Sequence, residues 1–142
     1  MQRNLRQQAT KLLVMLACII PLVGCEQTTS THPVKGKVVL ANGSPAGGGI
    51  IKFRTTSEEG ETVKAHGQIN SDGTFELSTF QNGDGALAGE HEAILFSPAL
   101  GDGSNAATAP SFPKKYRNYE TSGLKFDVGP GENDFVIRLE AR

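Results

Sequence analysis

The chain has 142 residues, a formal net charge of −1, 37% hydrophobic residues, 17 glycines and no tryptophan. A chain with no excess of cations has little of the electrostatic attraction on which nucleic-acid binding depends, so no nucleic-acid partner is expected. From Val34 onward no stretch carries the 3.6-residue apolar repeat of a helix, which excludes bundles and coiled coils.

The first 24 residues are ordered like an export leader. Arg3, Arg6 and Lys11 come first without any acidic residue, then the apolar run from Leu12 to Val23, then Leu22-Val23-Gly24-Cys25. The run falls short of the about 20 residues that span a bilayer, and Pro21 interrupts its end, so it reads as a segment to be removed. Leu22, Val23 and Gly24 read as the peptidase recognition residues and Cys25 as the lipidation site. A thiolate is nucleophilic enough to form a thioether, and small side chains fit beside the cut. The tetrapeptide resembles the lipobox of bacterial lipoproteins. That resemblance implies diacylglyceryl on the thiol, cleavage before Cys25 and a second, palmitate-type acyl chain on the new amino terminus. Two chains make anchoring stable where one is marginal. The inner or outer membrane stays open. Loss of residues 1–24 removes three cations and no anion, so the mature charge becomes −4. Cys25 is then the one remaining cysteine, and the exported domain has no disulfide.

Residues 25–33 are polar apart from the cysteine and read as a flexible lipidated tether, with the domain spanning 34–142. Val34, Gly36, Val38 and Leu40 alternate with Lys35 and Lys37 in a first strand, ended by the turn Asn42-Gly43-Ser44-Pro45. Gly47-Gly48-Gly49 predicts positive φ or a bulge on entry to a second strand around Ile51 and Phe53. Val63, Ala65 and Ile69 mark a third strand. Asn70-Ser71-Asp72-Gly73 predicts a tight hairpin into a fourth, Thr74 to Ser78. Gly89 to Phe96 is a fifth. Residues 97–112, rich in Pro, Gly, Ser and Ala, predict the longest loop. Leu124, Phe126 and Val128 form a sixth strand and, after Gly129-Pro130-Gly131, Phe135, Ile137 and Leu139 form the last. The expectation is an all-β fold, an antiparallel sandwich of about seven strands.

Several of these positions resemble a known pattern: Val34-x-Gly36-x-Val38 with Gly43-x-Pro45, Ile51-x-Phe53, Gly67 followed by Asp72-Gly73-x-Phe75-x-Leu77, and Asp84-Gly85-Ala86-x-x-Gly89-x-His91. The likeness continues through Phe112-Pro113-x-Lys115-Tyr116, Ser122-Gly123-Leu124 and Gly131-Glu132-Asn133-Asp134-Phe135. The chain is similar to the carboxypeptidase-regulatory-like or transthyretin-like domains of small planctomycete-type lipoproteins. That likeness implies a prealbumin-like or Ig-like sandwich. It informs fold far more than activity, because its motifs are turn and core positions. His91 stands where such sequences more often carry Tyr.

Chemistry is sparse. His32 lies in the tether, His66 on a wet strand face and His91 on another strand, so no metal centre or acid-base site is expected. Asp72-Gly73, Asp84-Gly85 and Asp102-Gly103 read as turns, since none continues into a calcium loop. Gly83-Asp84-Gly85-Ala86 lacks the Lys-Ser/Thr of a phosphate loop, and no Gly-x-Ser-x-Gly elbow occurs. Transthyretin-like hydroxyisourate hydrolases end in Tyr-Arg-Gly-Ser, whereas this chain ends Leu139-Glu140-Ala141-Arg142, so that activity does not carry over. The one concentrated basic and aromatic stretch is Lys114, Lys115, Tyr116, Arg117 and Tyr119, a candidate contact loop for an envelope protein or glycan. The expectation is a non-enzymatic, cofactor-free, membrane-anchored lipoprotein acting as an interaction or structural module. A carbohydrate-binding module is the alternative, and an envelope hydrolase, with a histidine beside a carboxylate in a cleft, ranks after it.

Overall fold

The computed structural model describes residues 30–97 and 112–140. The leader, the predicted recognition residues Leu22, Val23 and Gly24, the predicted lipidation site Cys25 and most of the predicted long loop lie outside the described residues.

The chain runs β1 (Thr31–His32), β2 (Val34–Val39), β3 (Ile50–Thr56), β4 (Thr62–Gln68), β5 (Thr74–Glu76), β6 (Ala86–Leu87), β7 (Gly89–Phe96), β8 (Leu124–Val128) and β9 (Asn133–Arg138). Between β7 and β8 lie a 3-10 turn (Lys114–Arg117) and a one-turn helix, α1 (Tyr119–Ser122), closed by Gly123 at φ 64°. Two sheets face each other, a three-stranded one in the order β5-β2-β9 and a four-stranded one in the order β4-β3-β7-β8. Those seven strands form the expected sandwich, and β1 with β6 adds a two-residue ladder. No helix among the described residues is long and apolar enough to cross a membrane.

Period-two alternation explains the core. Val34 and Val38 of β2, Phe75 and Leu77 around β5, and Ile137 and Leu139 around β9 point inward from one sheet. Ile51 and Phe53 of β3, Ala65 of β4, Ala93 and Leu95 of β7, and Val128 of β8 meet them from the other. Phe53 sits at the centre, stacked on Phe126 at 5.1 Å and near Phe135 at 6.3 Å between ring centroids. Each large side chain buried in this way contributes about 1.5–3 kcal/mol.

The sheets differ from the expected antiparallel order in three places. The turn at 70–73 forms, with Asn70 N–H donating to Thr74 O at 2.8 Å, but its arms do not make a hairpin. Gly73 O accepts the Val38 amide at 2.9 Å, which docks the turn on β2 and sends β5 into the other sheet. Beyond the turn itself, the bridge between His66 and Ser78 links the arms. Gly129-Pro130-Gly131 likewise carries the chain between sheets, and β9 then pairs with β2 in parallel. Asn133 holds that turn, accepting from Gly129 N at 2.9 Å and donating to Gly129 O and Gly131 O at 3.0 Å each.

The third difference concerns the predicted tether, which ends early. Thr31 and His32 pair with Leu87 and Ala86, Pro33 O accepts the Asn133 amide at 2.9 Å, and the ordered domain therefore begins before Val34. Gly85 makes this approach feasible: its φ is +86°, and a Cβ there would lie 1.8 Å from His32 O. The predicted glycine run behaves as expected at its far end, where Gly49 has φ +102° and faces Phe96 O.

Candidate functional site

The predicted contact stretch folds against the sandwich. Tyr116 belongs to the core rather than to any contact surface; it is 2% exposed, and its hydroxyl oxygen accepts the Glu140 amide at 3.0 Å. Amphipathic tyrosine favours this placement, with the ring among apolar side chains and the hydroxyl satisfied at the rim. Lys115 pairs with the Glu140 carboxylate, which holds its ammonium above the usual lysine range. Lys114 and Arg117 are exposed.

Tyr119, from α1, lies over the outer face of the four-stranded sheet. The Arg54 guanidinium stacks on its ring at 3.9 Å. Arg54 also donates to Glu92, Nε at 3.0 Å and Nη2 at 2.9 Å to the same oxygen, and reaches Glu120 at 3.7 Å. Burial raises the Tyr119 phenol, and the nearby Arg54 charge opposes that shift. Beside this group, Arg54, Thr55, Thr56, Thr62, Glu90 and Glu92 border a shallow depression of about 300 Å³. Its acids are already engaged, Glu92 by Arg54 and Glu90 by Lys125 at 3.2 Å. With one ring face taken by a guanidinium, Tyr119 offers at most its other face to a sugar. The surroundings therefore suit a polar contact surface rather than acid-base chemistry.

The histidines occupy different environments. His66 is exposed on the outer face of β4, whereas His91 points inward from β7 and is 1% exposed. Leu87 O can only accept, so at 2.8 Å it fixes the proton on Nε2 of His91. Nδ1 is then buried with no hydrogen-bond partner among the described residues, and the ring lies 5.8 Å from Phe53. Burial pushes the imidazole below its ordinary value of 6.5, against the weaker pull of the Leu87 carbonyl and the Asp127 charge. Two opposite sheet faces thus separate the histidines. Among the described residues no three His, Cys, Asp or Glu side chains cluster to hold a metal.

Asp84 is the most connected acid. One oxygen accepts the Thr79 amide at 2.7 Å, and the other accepts those of Phe80 and Gln81 at 2.9 Å each. Partial burial would raise its carboxyl, but these amides outweigh that effect and hold it below the usual carboxylate value. The loop it braces leaves Phe80 62% exposed. Asp72 closes its own turn on Thr74, whose hydroxyl and amide lower its carboxyl. Sequence reasoning identifies both acids as turn residues and misses the Arg54–Tyr119–Glu92 group, whose members are far apart in the chain.

No family model and no curated protein matches the chain. Among solved structures it is similar to a 9R-lipoxygenase from Cyanothece PCC8801, with a TM-score of 0.42 and 14% identity over 79% of this chain. It spans 16% of that lipoxygenase. It is also similar to the major plantain pollen allergen Pla l 1, with a TM-score of 0.37 and 12% identity over 80% of this chain and 95% of the allergen. Likenesses this distant assign no activity.

Proposed function

We propose that the chain is a bacterial lipoprotein, cleaved before Cys25 and anchored by lipid on that cysteine, whose β-sandwich is a non-enzymatic interaction module of the cell envelope. The observation that carries this reading is the order of basic residues, short apolar run and Leu22-Val23-Gly24-Cys25 within the first 25 residues. The first strand begins at Thr31, so the lipid attachment point and the folded body are adjacent in the chain. Contact with a partner falls to the polar outer face around Arg54, Tyr119 and Glu92 and to Lys114 and Arg117 beside it. Ion pairs and a guanidinium–aromatic stack present fixed donors and acceptors there without an acid-base pair free to react.

Intact-mass analysis of the membrane-extracted protein, alongside a Cys25→Ser variant, tests the anchor. The expected result is a chain starting at residue 25 with added acyl mass, and a variant retained as the unprocessed precursor. An unmodified product released by washing would overturn the reading.

A further inference from the structure

We propose that the free edge of β9 pairs with β9 of a second copy of this chain, in antiparallel register centred on Val136. β9 is the last strand of its sheet among the described residues, where it is bonded on one side, to β2. Asn133 N–H donates to Pro33 O and Leu139 N–H to Val39 O, which fixes the alternation of the strand. Odd-numbered residues from 133 to 139 therefore bond inward to β2, while the N–H and C=O groups of Asp134, Val136 and Arg138 face away from it.

Those same three residues put their side chains on the solvent face of the sheet. Val136 is 58% exposed, the most exposed strand residue among the large apolar side chains, and an unprotected edge with such a residue is a template for pairing. Asp134 and Arg138 flank it symmetrically, both exposed, and neither makes an ion pair among the described residues. A two-fold axis through Val136 sets Val136 against its own copy, Asp134 against Arg138 of the second copy, and Arg138 against its Asp134. All three pairs then fall at hydrogen-bonded positions, the ones whose backbone groups face outward, so edge bonding and charge pairing select one register. The two three-stranded sheets would become one continuous six-stranded sheet. A strand of some other protein would have no reason to carry the complementary charge order, whereas a second copy carries it by symmetry.

Sedimentation of the full chain over a range of concentrations tests this with Asp134→Arg, Arg138→Asp and their equimolar mixture. Both positions are exposed, and circular dichroism confirms that each variant keeps its fold. Each single substitution sets like charges against each other at both ends of the contact and should weaken self-association about tenfold or more. In the mixture the two variants are complementary, so association should return. Val136→Cys adds a register check: a hydrogen-bonded antiparallel pair holds its Cα atoms about 5.5 Å apart, within disulfide range, so mild oxidation should link two copies through position 136. The parent chain with its native cysteines serves as the control. A wild-type chain that stays monomeric, single variants that associate as well as wild type, or a dimer that Val136→Cys does not link would each overturn the proposal.

Discussion

His91 should make stability depend on pH in a window set by its burial. Protonation would place a charge on a ring wedged beside Phe53, with Nδ1 facing no acceptor among the described residues and the Leu87 carbonyl and the Asp127 charge as its weaker support. The folded pKa is therefore depressed below 6.5, while the unfolded chain titrates near that value. The unfolded state binds the extra proton first, so the contribution of the neutral ring is fully present above the unfolded pKa and declines as pH falls toward the folded one. The slope is bounded by about 1.4 kcal/mol per pH unit, the limit for one proton, and the decline sets in as pH falls through the ordinary value of 6.5. Urea unfolding followed by far-ultraviolet circular dichroism at fixed ionic strength measures this directly, because the chain has no tryptophan to report by fluorescence. His91→Phe keeps an aromatic ring among Phe53 and Phe126 and removes the titration. Its absolute stability can move either way, since Leu87 O loses a donor while the orphaned nitrogen disappears. The readout is therefore the slope, which should flatten in this window. An unchanged slope in His91→Phe would refute the assignment.

Asp84→Ala should cost about 2 kcal/mol, as three amide hydrogen bonds to a charged acceptor at a part-exposed site are lost. Hydrogen exchange at Thr79, Phe80 and Gln81 should rise, and unchanged protection there would contradict the bracing role. Because the folded carboxyl lies below its ordinary 3.8, this contribution is present above that value and lost as pH falls through the folded one, outside the His91 window. Gly85→Ala combines a positive φ with a Cβ pressed on His32 O, so β1 must lift from β6 at a cost of about 2 kcal/mol or more. A melting temperature within error of wild type would show that the ladder tolerates the side chain.

The strands were legible because each alternates on a half-buried sheet, and Ile51/Phe53 or Phe135/Ile137 show that alternation without ambiguity. Sheet assignment was not. Asn70-Ser71-Asp72-Gly73 has sound turn chemistry, yet whether its arms pair depends on Val38 capturing the Gly73 carbonyl from a strand more than 30 residues upstream. The parallel partner of β9 is equally nonlocal. Thr31 and His32 carry no strand signal of their own and are held by a ladder that Gly85 admits. Tyr116 and Tyr119 look alike in sequence, three residues apart in a basic stretch, but the short 3-10 and helical turns send one ring into the core and the other under Arg54. The buried state of His91 follows from its inward register on β7, which the apolar run Ala93-Ile94-Leu95-Phe96 leaves ambiguous in sequence.

An anchor at one terminus and a two-fold contact at one edge constrain each other. On the proposed anchor, pairing of Thr31 leaves residues 26–30 between the lipidated cysteine and β1, a maximal reach of about 20 Å. That reach is comparable to the length of β9 itself, six residues at about 3.3 Å each. A two-fold axis normal to the sheet reverses strand direction between copies, so upright sandwiches would carry their anchors at opposite ends and could not share a bilayer. Copies lying on their sides, with strands along the surface and the axis along the membrane normal, bring both β1 strands to equal height. Lipid anchoring would then favour the β9 contact by raising local concentration, with each copy already confined to one plane. A longer tether would relax the constraint, so inserting a flexible Gly/Ser segment after Cys25 should weaken crosslinking through Val136→Cys in membranes while leaving association of the detergent-extracted chain unchanged.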